Sequence, residues 1–467
     1  MPLTPSFRTE HDNLGELPIP ADALWGIHTA RSRANFPLSG RAVHPALIHA
    51  FGAVKYACAR TNLELGHLTK DKAEALMTAC REMEQGQLDQ HVITDALQGG
   101  AGTSTNMAVN EVLANRALQI LGRKPGDTAL ISPLDHVNQH QSTNDTYPTA
   151  LKIAAIRLLR ALDQAVTALQ EAFQAQERAT QDVVTVGRTE YQDAVLTTMG
   201  RRFGAWAEAM TRDRWRISKC EERLRVINLG GTAIGTGLGA PRRYIFRVCE
   251  VLRSHTGLGL ARAENLVENT QNCDAFAEVA GILTAHAASL IKICGDLRFL
   301  SSGPDAGIGE LRLPPLQAGS SIMPGKVNPV VPEAVTQVAM QVIGTNSVIV
   351  QAAAAGHLEL NAFLPLIADN LLTNLDLLER ANRILSSRCI ETLEVDRAHC
   401  AARTANATSM VTALVGPLGY EQAAAIAKRA TAEGLTIRVA ALASGQVTAE
   451  QFDAWVAPAA VTQLGHS

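Results

Sequence analysis

From Leu151 the apolar positions Leu151, Ala155, Leu158, Leu162, Ala165, Leu169 and Ala172 recur at alternating steps of four and three, with no glycine or proline between them. Residues so spaced share one face of a helix, and the alternation makes a coiled-coil-like seam about six turns long. A second long helix is predicted over about 194–224, with Trp206, Met210 and Trp215 set among charges. A third is predicted over about 273–300, a fourth over about 329–355 and a fifth over 364–385. In the fifth, Leu364, Ile367, Leu371, Leu375 and Leu378 again mark one stripe. Helices of about 20–30 residues exceed the usual length of ~12 and build a bundle of roughly 30–45 Å. The fourth is apolar on nearly every face, so burying it calls for helices from further copies of the chain.

The flanks differ. Residues 1–40 are punctuated by proline and glycine, shorter helices follow over 45–65 and 71–84, and the tail is alanine-rich with breaks at 416–419 and at Gly434. The expected organisation is mainly all-α with three domains: 1–143, a central long-helix domain over 144–395, and a small helical domain over 396–467.

Composition narrows the function classes. With 46% hydrophobic and 19% charged residues and a formal net charge of −3, the chain offers no broad basic surface for nucleic acid. The eight cysteines include no C-x-x-C pair and sit mostly in apolar contexts, which predicts buried free thiols in a reducing compartment. The polar start lacks the apolar core of a signal peptide, and the most apolar windows are broken by His286, Lys292, Gly344, Asn346 and Gln351. The expectation is a cytoplasmic protein with neither membrane nor nucleic-acid partners.

Four polar stretches interrupt the helical pattern: GGAGTSTNM (99–107), QSTND (141–145), GRTEYQDA (187–194) and GSSIMPGKVNP (319–329). The last is not a phosphate-binding P-loop, because five residues separate Gly319 from Gly325 and Val327 stands where a hydroxyl ligand for Mg²⁺ is required. Taken singly, each stretch reads as helix N-capping by Thr, Ser, Asn or Asp. Four together, with a lysine close to an asparagine, point to an anion site at helix N-termini. Asn328-Pro329 is read as the cap of the fourth helix. Lys326 and Asn328 are placed to grip a carboxylate, with Ser320 and Ser321 facing the same space. A serine acts as a base only if its alkoxide is stabilised, for which backbone N–H groups and a cation suffice. No His/Cys/Asp cluster has convincing metal-ligand spacing.

GSSIMPGKVNP closely resembles the signature of the aspartase/fumarase superfamily, and the other three stretches occur in that family's order, so the resemblance covers nearly the whole chain. It implies a homotetramer with a twenty-helix core, composite active sites built from three subunits, and reversible anti-elimination from a succinyl-type small dicarboxylate or amino-acid substrate to give fumarate. It implies no organic cofactor and leaves room for a loosely bound activating Mg²⁺. ALWGIHT with His28, GAGTS with Ala101, and VVPE after the lysine lean towards the ammonia-lyase branch. Carried over by position, Ser320 matches the base that removes the Cβ proton, and Thr103, Ser142, Thr143 and Ser321 match donors to the β-carboxylate. Thr189, Lys326 and Asn328 match the clamp on the α-carboxylate, and Asn144 a contact to the leaving amino group. Glu333 matches a supporting carboxylate behind the site, and His136 resembles a residue of a secondary anion site.

Three departures stand out. Glu190 occupies a position where the family usually has His or Gln, so the residue is assigned to substrate binding with the substrate's identity open. If it lay beside Glu333, one of the two would have a raised pKa. His140 replaces a small residue before Gln141 and reads as a packing or supporting variation; Gly239 replaces a usual Asn. Alternatives to aspartate deamination are fumarate hydration, argininosuccinate- or adenylosuccinate-type elimination, and a helical scaffold that has lost activity.

Overall fold

The computed structural model describes residues 6–463 and 465; the first five residues of the polar start lie outside them. The chain is mainly helical, as its periodicity predicts. The long helices are Thr143–Ala179, Met199–Leu224, Asp274–Leu300, Val330–Ala354 and Leu364–Leu385. The first starts eight residues before the Leu151 seam and carries Pro148 in its second turn; the Asn144 carbonyl, which the missing N–H would have met, accepts from Asn228 Nδ2 at 2.9 Å instead. Along that seam Leu151, Ala155, Leu162, Ala165 and Leu169 are fully buried, whereas at Leu158 the neighbouring Leu159 takes the inner place.

Two sequence readings are corrected. The second long helix begins at Met199, not near Ala194, because Gln192–Thr198 is a strand. GRTEYQDA therefore opens no helix; it is the turn of an antiparallel hairpin pairing Val184–Thr189 with Gln192–Thr198. The β-branched Val184, Thr185, Val186, Val195, Thr197 and Thr198 favour that geometry over a helix. The fourth helix starts at Val330, and Pro329 precedes it, its carbonyl accepting from the Glu333 N–H at 3.1 Å.

Two compact units interleave along the chain, whereas the sequence reading divides it into three consecutive segments. The first unit comprises residues up to Asp163, Arg216–Ala285 and Gln341–Leu378. The second comprises Gln164–Trp215, His286–Met340 and everything from Glu379 onward. In the first, the helices Pro45–Glu64 and Lys70–Glu84 pack against each other, and Thr103–Ile120 packs on the latter. In the second, short C-terminal helices enclose their own core of Met410, Leu414, Ile426, Ile437 and Phe452, onto which the hairpin inserts Val186 and Leu196. The hairpin is thus anchored by apolar burial on one side while its tip stays exposed.

Asp274–Leu300 is long and apolar enough by length and composition to cross a bilayer. Its central His286 is 1% exposed and bonded within the second unit: Asn382 donates to Nε2 at 2.9 Å and Nδ1 meets Asp213 at 3.0 Å. All eight cysteines are buried and free.

Candidate active site

In the first unit, GAGTSTNM forms the N-terminus of the Thr103–Ile120 helix. Gly102 sits before it at φ 93°, and a Cβ there would overlap the Tyr147 ring, so only glycine lets this helix end approach the Thr143–Ala179 helix so closely. Thr103, the first helical residue, is exposed.

QSTND forms the start of the neighbouring long helix, and its hydroxyls are oriented by what donates to them. The Asn106 Nδ2 donates to Thr143 Oγ1 at 3.2 Å, and the Asn144 N–H donates to Ser142 Oγ at 3.2 Å. Each oxygen accepts a hydrogen bond, and among the described residues neither O–H has an acceptor, so both remain able to donate to an anion. Asn144 Nδ2 donates to the Ala233 carbonyl at 2.7 Å, which fixes the amide and leaves Oδ1 as an acceptor. Asp145, fully buried, accepts from the N–H groups of Ser142, Gly230 and Thr232 at 3.0–3.1 Å and so fastens the turn to the loop at Gly230. Burial pushes its carboxyl up to about 6, against the pull of those donors and Lys55.

Behind the turn lies a polar network that sequence reasoning missed. Asn138 Oδ1 accepts from Lys55 Nζ at 3.2 Å and from the amides of Asn106 and Asn110, each at 3.1 Å; Lys55 also donates to Gln141 Oε1 at 2.8 Å. His140, at φ 62°, turns its Nδ1 to Asn62 Oδ1 at 2.8 Å, and its ring lies against His67 and Tyr244. It packs behind the turn. His136 faces Lys72 at 2.9 Å, while its Nδ1 accepts from the Ser132 N–H. The GIHT segment is held by Glu111, whose carboxylate accepts from the N–H groups of Gly26, His28 and Thr29 and from the Thr29 hydroxyl. Gly239 lies at φ 89°, a left-handed conformation that Asn and Gly both tolerate.

In the second unit, GSSIMPGKVNP is a loop closed on itself. The Gly319 N–H donates to the Lys326 carbonyl at 3.0 Å, and Asn328 Nδ2 donates to the Gly319 carbonyl at 2.7 Å. A Cβ on Gly319 would overlap that Lys326 carbonyl. The loop's centre is Ser320, whose Oγ accepts from two successive backbone N–H groups, Ile322 at 3.2 Å and Met323 at 3.1 Å. The two donors aimed at one hydroxyl oxygen are the arrangement that favours its deprotonated form. Gln317, Gly319, Ser320, Met323 and Lys326 line a cavity of 460 Å³. Ser321 and Lys326 are exposed. One of the two Asn328 amide hydrogens is engaged within the loop, leaving the other for a ligand.

Thr189 closes the hairpin opposite Gln192, with Glu190 and Tyr191 as the two turn residues at φ 53° and 63°. Such a turn is normally filled by Asn-Gly, so this tip is strained; Tyr191 leans edge-on against Phe299, 5.0 Å between centroids. Glu333 faces Arg298 at 4.0 Å. Glu310, another residue missed from sequence, is fully buried between Arg188 and Arg202, each 2.7 Å away. It links the hairpin to the short strand that leads into the Ser320 loop. Among the described residues no group of three or more His, Cys, Asp and Glu gathers to hold a metal.

Comparison with known proteins identifies the family. The family model described as Lyase matches residues 15–344, and that described as Fumarase C C-terminus matches 410–463. An aspartate ammonia-lyase of Bacillus subtilis (strain 168) is 40% identical over 459 residues, 98% of this chain and 97% of its own length. A class II fumarate hydratase of Brucella suis is 41% identical over 447 residues, 96% of each chain. A solved structure described as fumarate lyase:delta crystallin from Brucella melitensis, bound to cobalt, superposes with a TM-score of 0.93 at 44% identity and covers 97% of this chain and 99% of its own. With matches along nearly its full length to both ammonia-lyases and hydratases, this chain is a lyase and belongs to the aspartase/fumarase superfamily.

Proposed function

We propose that the protein eliminates ammonia from L-aspartate, or a close analogue, to give fumarate. The observation that carries this reading is the pair of backbone N–H donors on Ser320 Oγ. They make a serine alkoxide tenable without a histidine or aspartate partner, and an alkoxide is strong enough to take a proton from Cβ. As the Cβ–H bond breaks, the electron pair delocalises into the β-carboxylate, which becomes a doubly charged aci-carboxylate. Thr103, Ser142, Thr143 and Ser321 act on that group. Free hydroxyl donors of the kind seen on Ser142 and Thr143 bind the extra charge more strongly than the substrate's single charge, so they lower the barrier rather than the ground state. The pair then returns to form the double bond as the C–N bond breaks, and the ammonium group departs as ammonia. Thr189, Lys326 and Asn328 hold the α-carboxylate, the Asn144 Oδ1 accepts from the leaving group, and Glu190 tunes which substrate fits. No organic cofactor enters this scheme.

Sites of this kind are proposed to be completed by several copies of the chain in a homotetramer. The support is the outward face of the long helices: Gly281, Ala288 and Gly295, at seven-residue spacing, are exposed, and so are Met340, Gly344 and Val350. Small and apolar residues left on such faces suit close helix packing.

Hydration of fumarate is the second reading, favoured by the identity to the Brucella suis hydratase. The test is the ultraviolet absorbance of fumarate after mixing purified protein with L-aspartate, with L-malate in a parallel cell. A rise with aspartate accompanied by ammonia release is expected; a rise with malate alone would make the enzyme a hydratase, and silence in both would overturn both readings.

A further inference from the structure

Lys55 is 1% exposed on the Pro45–Glu64 helix, within the apolar run ALIHAFGAVKYACA. Its ammonium donates only to neutral oxygens, those of Asn138 and Gln141. Among the described residues it forms no ion pair, although a buried cation ordinarily has one. Asp145, the acid that acts on it, gives its own oxygens to the backbone N–H groups of Ser142, Gly230 and Thr232. The positive charge is therefore left partly uncompensated behind the turn that carries the Ser142 and Thr143 hydroxyls.

We propose that Lys55 is a positioning residue that sets the affinity of the 141–145 turn for a dicarboxylate, through its charge and through Gln141 and Asn138, without touching the ligand. The proposal rests on the reading of that turn as an anion site. Two features make a lysine suitable. Asn138 Oδ1 collects the ammonium together with the amides of Asn106 and Asn110, and Asn106 in turn donates to Thr143 Oγ1. The bonds that orient the donors thus begin at the same cation whose field attracts the anion. Because the cation is buried, that field is only weakly screened by solvent.

The groups facing Lys55 define when it acts. They are Cys58 on its own helix, Cys80 on Lys70–Glu84, and Asp145 on the long helix; beyond Cys58 lie Tyr244 and, against it, His140. Burial lowers Lys55 to about 8 and raises Asp145 to about 6. It also pushes the Cys58 thiol up to about 12, raises Cys80 and Tyr244 further, and lowers His140. From pH 7 to 9.5, then, Lys55 is the one member of this group that changes charge.

The test is calorimetric titration of the full-length protein with succinate, a dicarboxylate fully ionised across that range. The wild-type Kd should rise about tenfold from pH 7 to 9.5, with uptake of a fraction of a proton on binding near pH 8.5. Lys55→Met should bind about tenfold more weakly at pH 7, a change equivalent to ~1.4 kcal/mol, with a Kd independent of pH. Lys152→Met is the control: Lys152 is also buried and lowered to about 8, but it bonds to the Val226 carbonyl and Asn269. Its variant should keep the wild-type pH dependence. A flat wild-type curve, a Lys55→Met curve parallel to wild type, or loss of the dependence in Lys152→Met would each overturn the assignment. Should Lys55→Met not fold, the wild-type and Lys152→Met curves still decide. Turnover without this pH dependence sinks the role of Lys55 alone; failure to bind succinate at any pH sinks the anion-site reading with it.

Discussion

Replacing Glu310 is the most direct test of how the hairpin that carries Thr189 and Glu190 is held. The carboxylate is fully buried, and it bonds Arg188 Nη2 and Arg202 Nη1, each at 2.7 Å, on side chains only 10% and 16% exposed. Arg202 also donates to the Val186 carbonyl at 2.6 Å, so the cluster grips the hairpin backbone itself. Glu310→Ala leaves two largely buried guanidiniums facing each other, and breaking a buried pair in this way costs about 3–5 kcal/mol. Glu310→Gln retains one acceptor and loses the charge, for about half that cost. A chain of this length with two compact units does not unfold in two states, so local hydrogen exchange is the appropriate assay. In Glu310→Ala the amides of Val184–Thr189 and Gln192–Thr198 should exchange roughly a hundredfold faster or more, the factor that ~3 kcal/mol represents. Those of Pro45–Glu64 should not change. The pH dependence has a definite sign. Burial raises the Glu310 carboxyl, but Arg188 and Arg202 outweigh it and hold the pKa below its ordinary value. Its contribution is therefore complete above the unfolded value of ~4.3 and is lost as pH falls through the folded value. Wild-type hairpin protection should fall in that acid range, and protection in Glu310→Gln should not follow it. Unchanged exchange in Glu310→Ala would refute the clamp.

Three further outcomes are expected. Ser320→Ala should lower kcat by about 10³-fold or more while leaving KM within a few-fold and the proposed tetramer intact; retention of most of kcat would remove Ser320 as the base. Gly319→Ala should lower kcat by about tenfold to a hundredfold with unchanged helical circular dichroism, because the added methyl displaces the Lys326 carbonyl and with it the Ser320 donors; an unaffected kcat would mean the loop does not need that closure. Glu190→Gln should raise kcat/KM for L-aspartate several-fold by removing a negative charge from beside the proposed α-carboxylate clamp. Complete inactivation would instead give Glu190 a positive part in the reaction.

What was legible in the sequence divides by the distance over which the physics acts. Helix periodicity is local, so where no strand intervened the third, fourth and fifth long helices were placed to within one residue, while the seam marked only the middle of the first, which begins eight residues before Leu151 and ends seven after Ala172. The exception, 192–198, failed because Ala194, Leu196 and Met199 continue an apolar pattern into Phe203 and Trp206, while the strand is decided by pairing with 184–189. The Ser320 arrangement was foreseeable in kind, since its donors lie two and three residues along the chain and the glycines bracketing it are visible in the motif. Lys55 and Glu310 were not foreseeable. Lys55 finds its partners 83 and 86 residues away, and Glu310 bonds arginines 122 and 108 residues away. In sequence one is a lysine in an apolar run and the other a glutamate between a glycine and a leucine. The lysine did carry a usable signal, for a cation at a position where every neighbour on its helix face is apolar has either a buried partner or a buried purpose. That asymmetry follows from the chemistry of such a site. The groups that meet the substrate can be supplied by short turns, because a turn presents hydroxyls and N–H groups by local geometry alone. The groups that aim and charge them must come from behind, and only the fold brings those there.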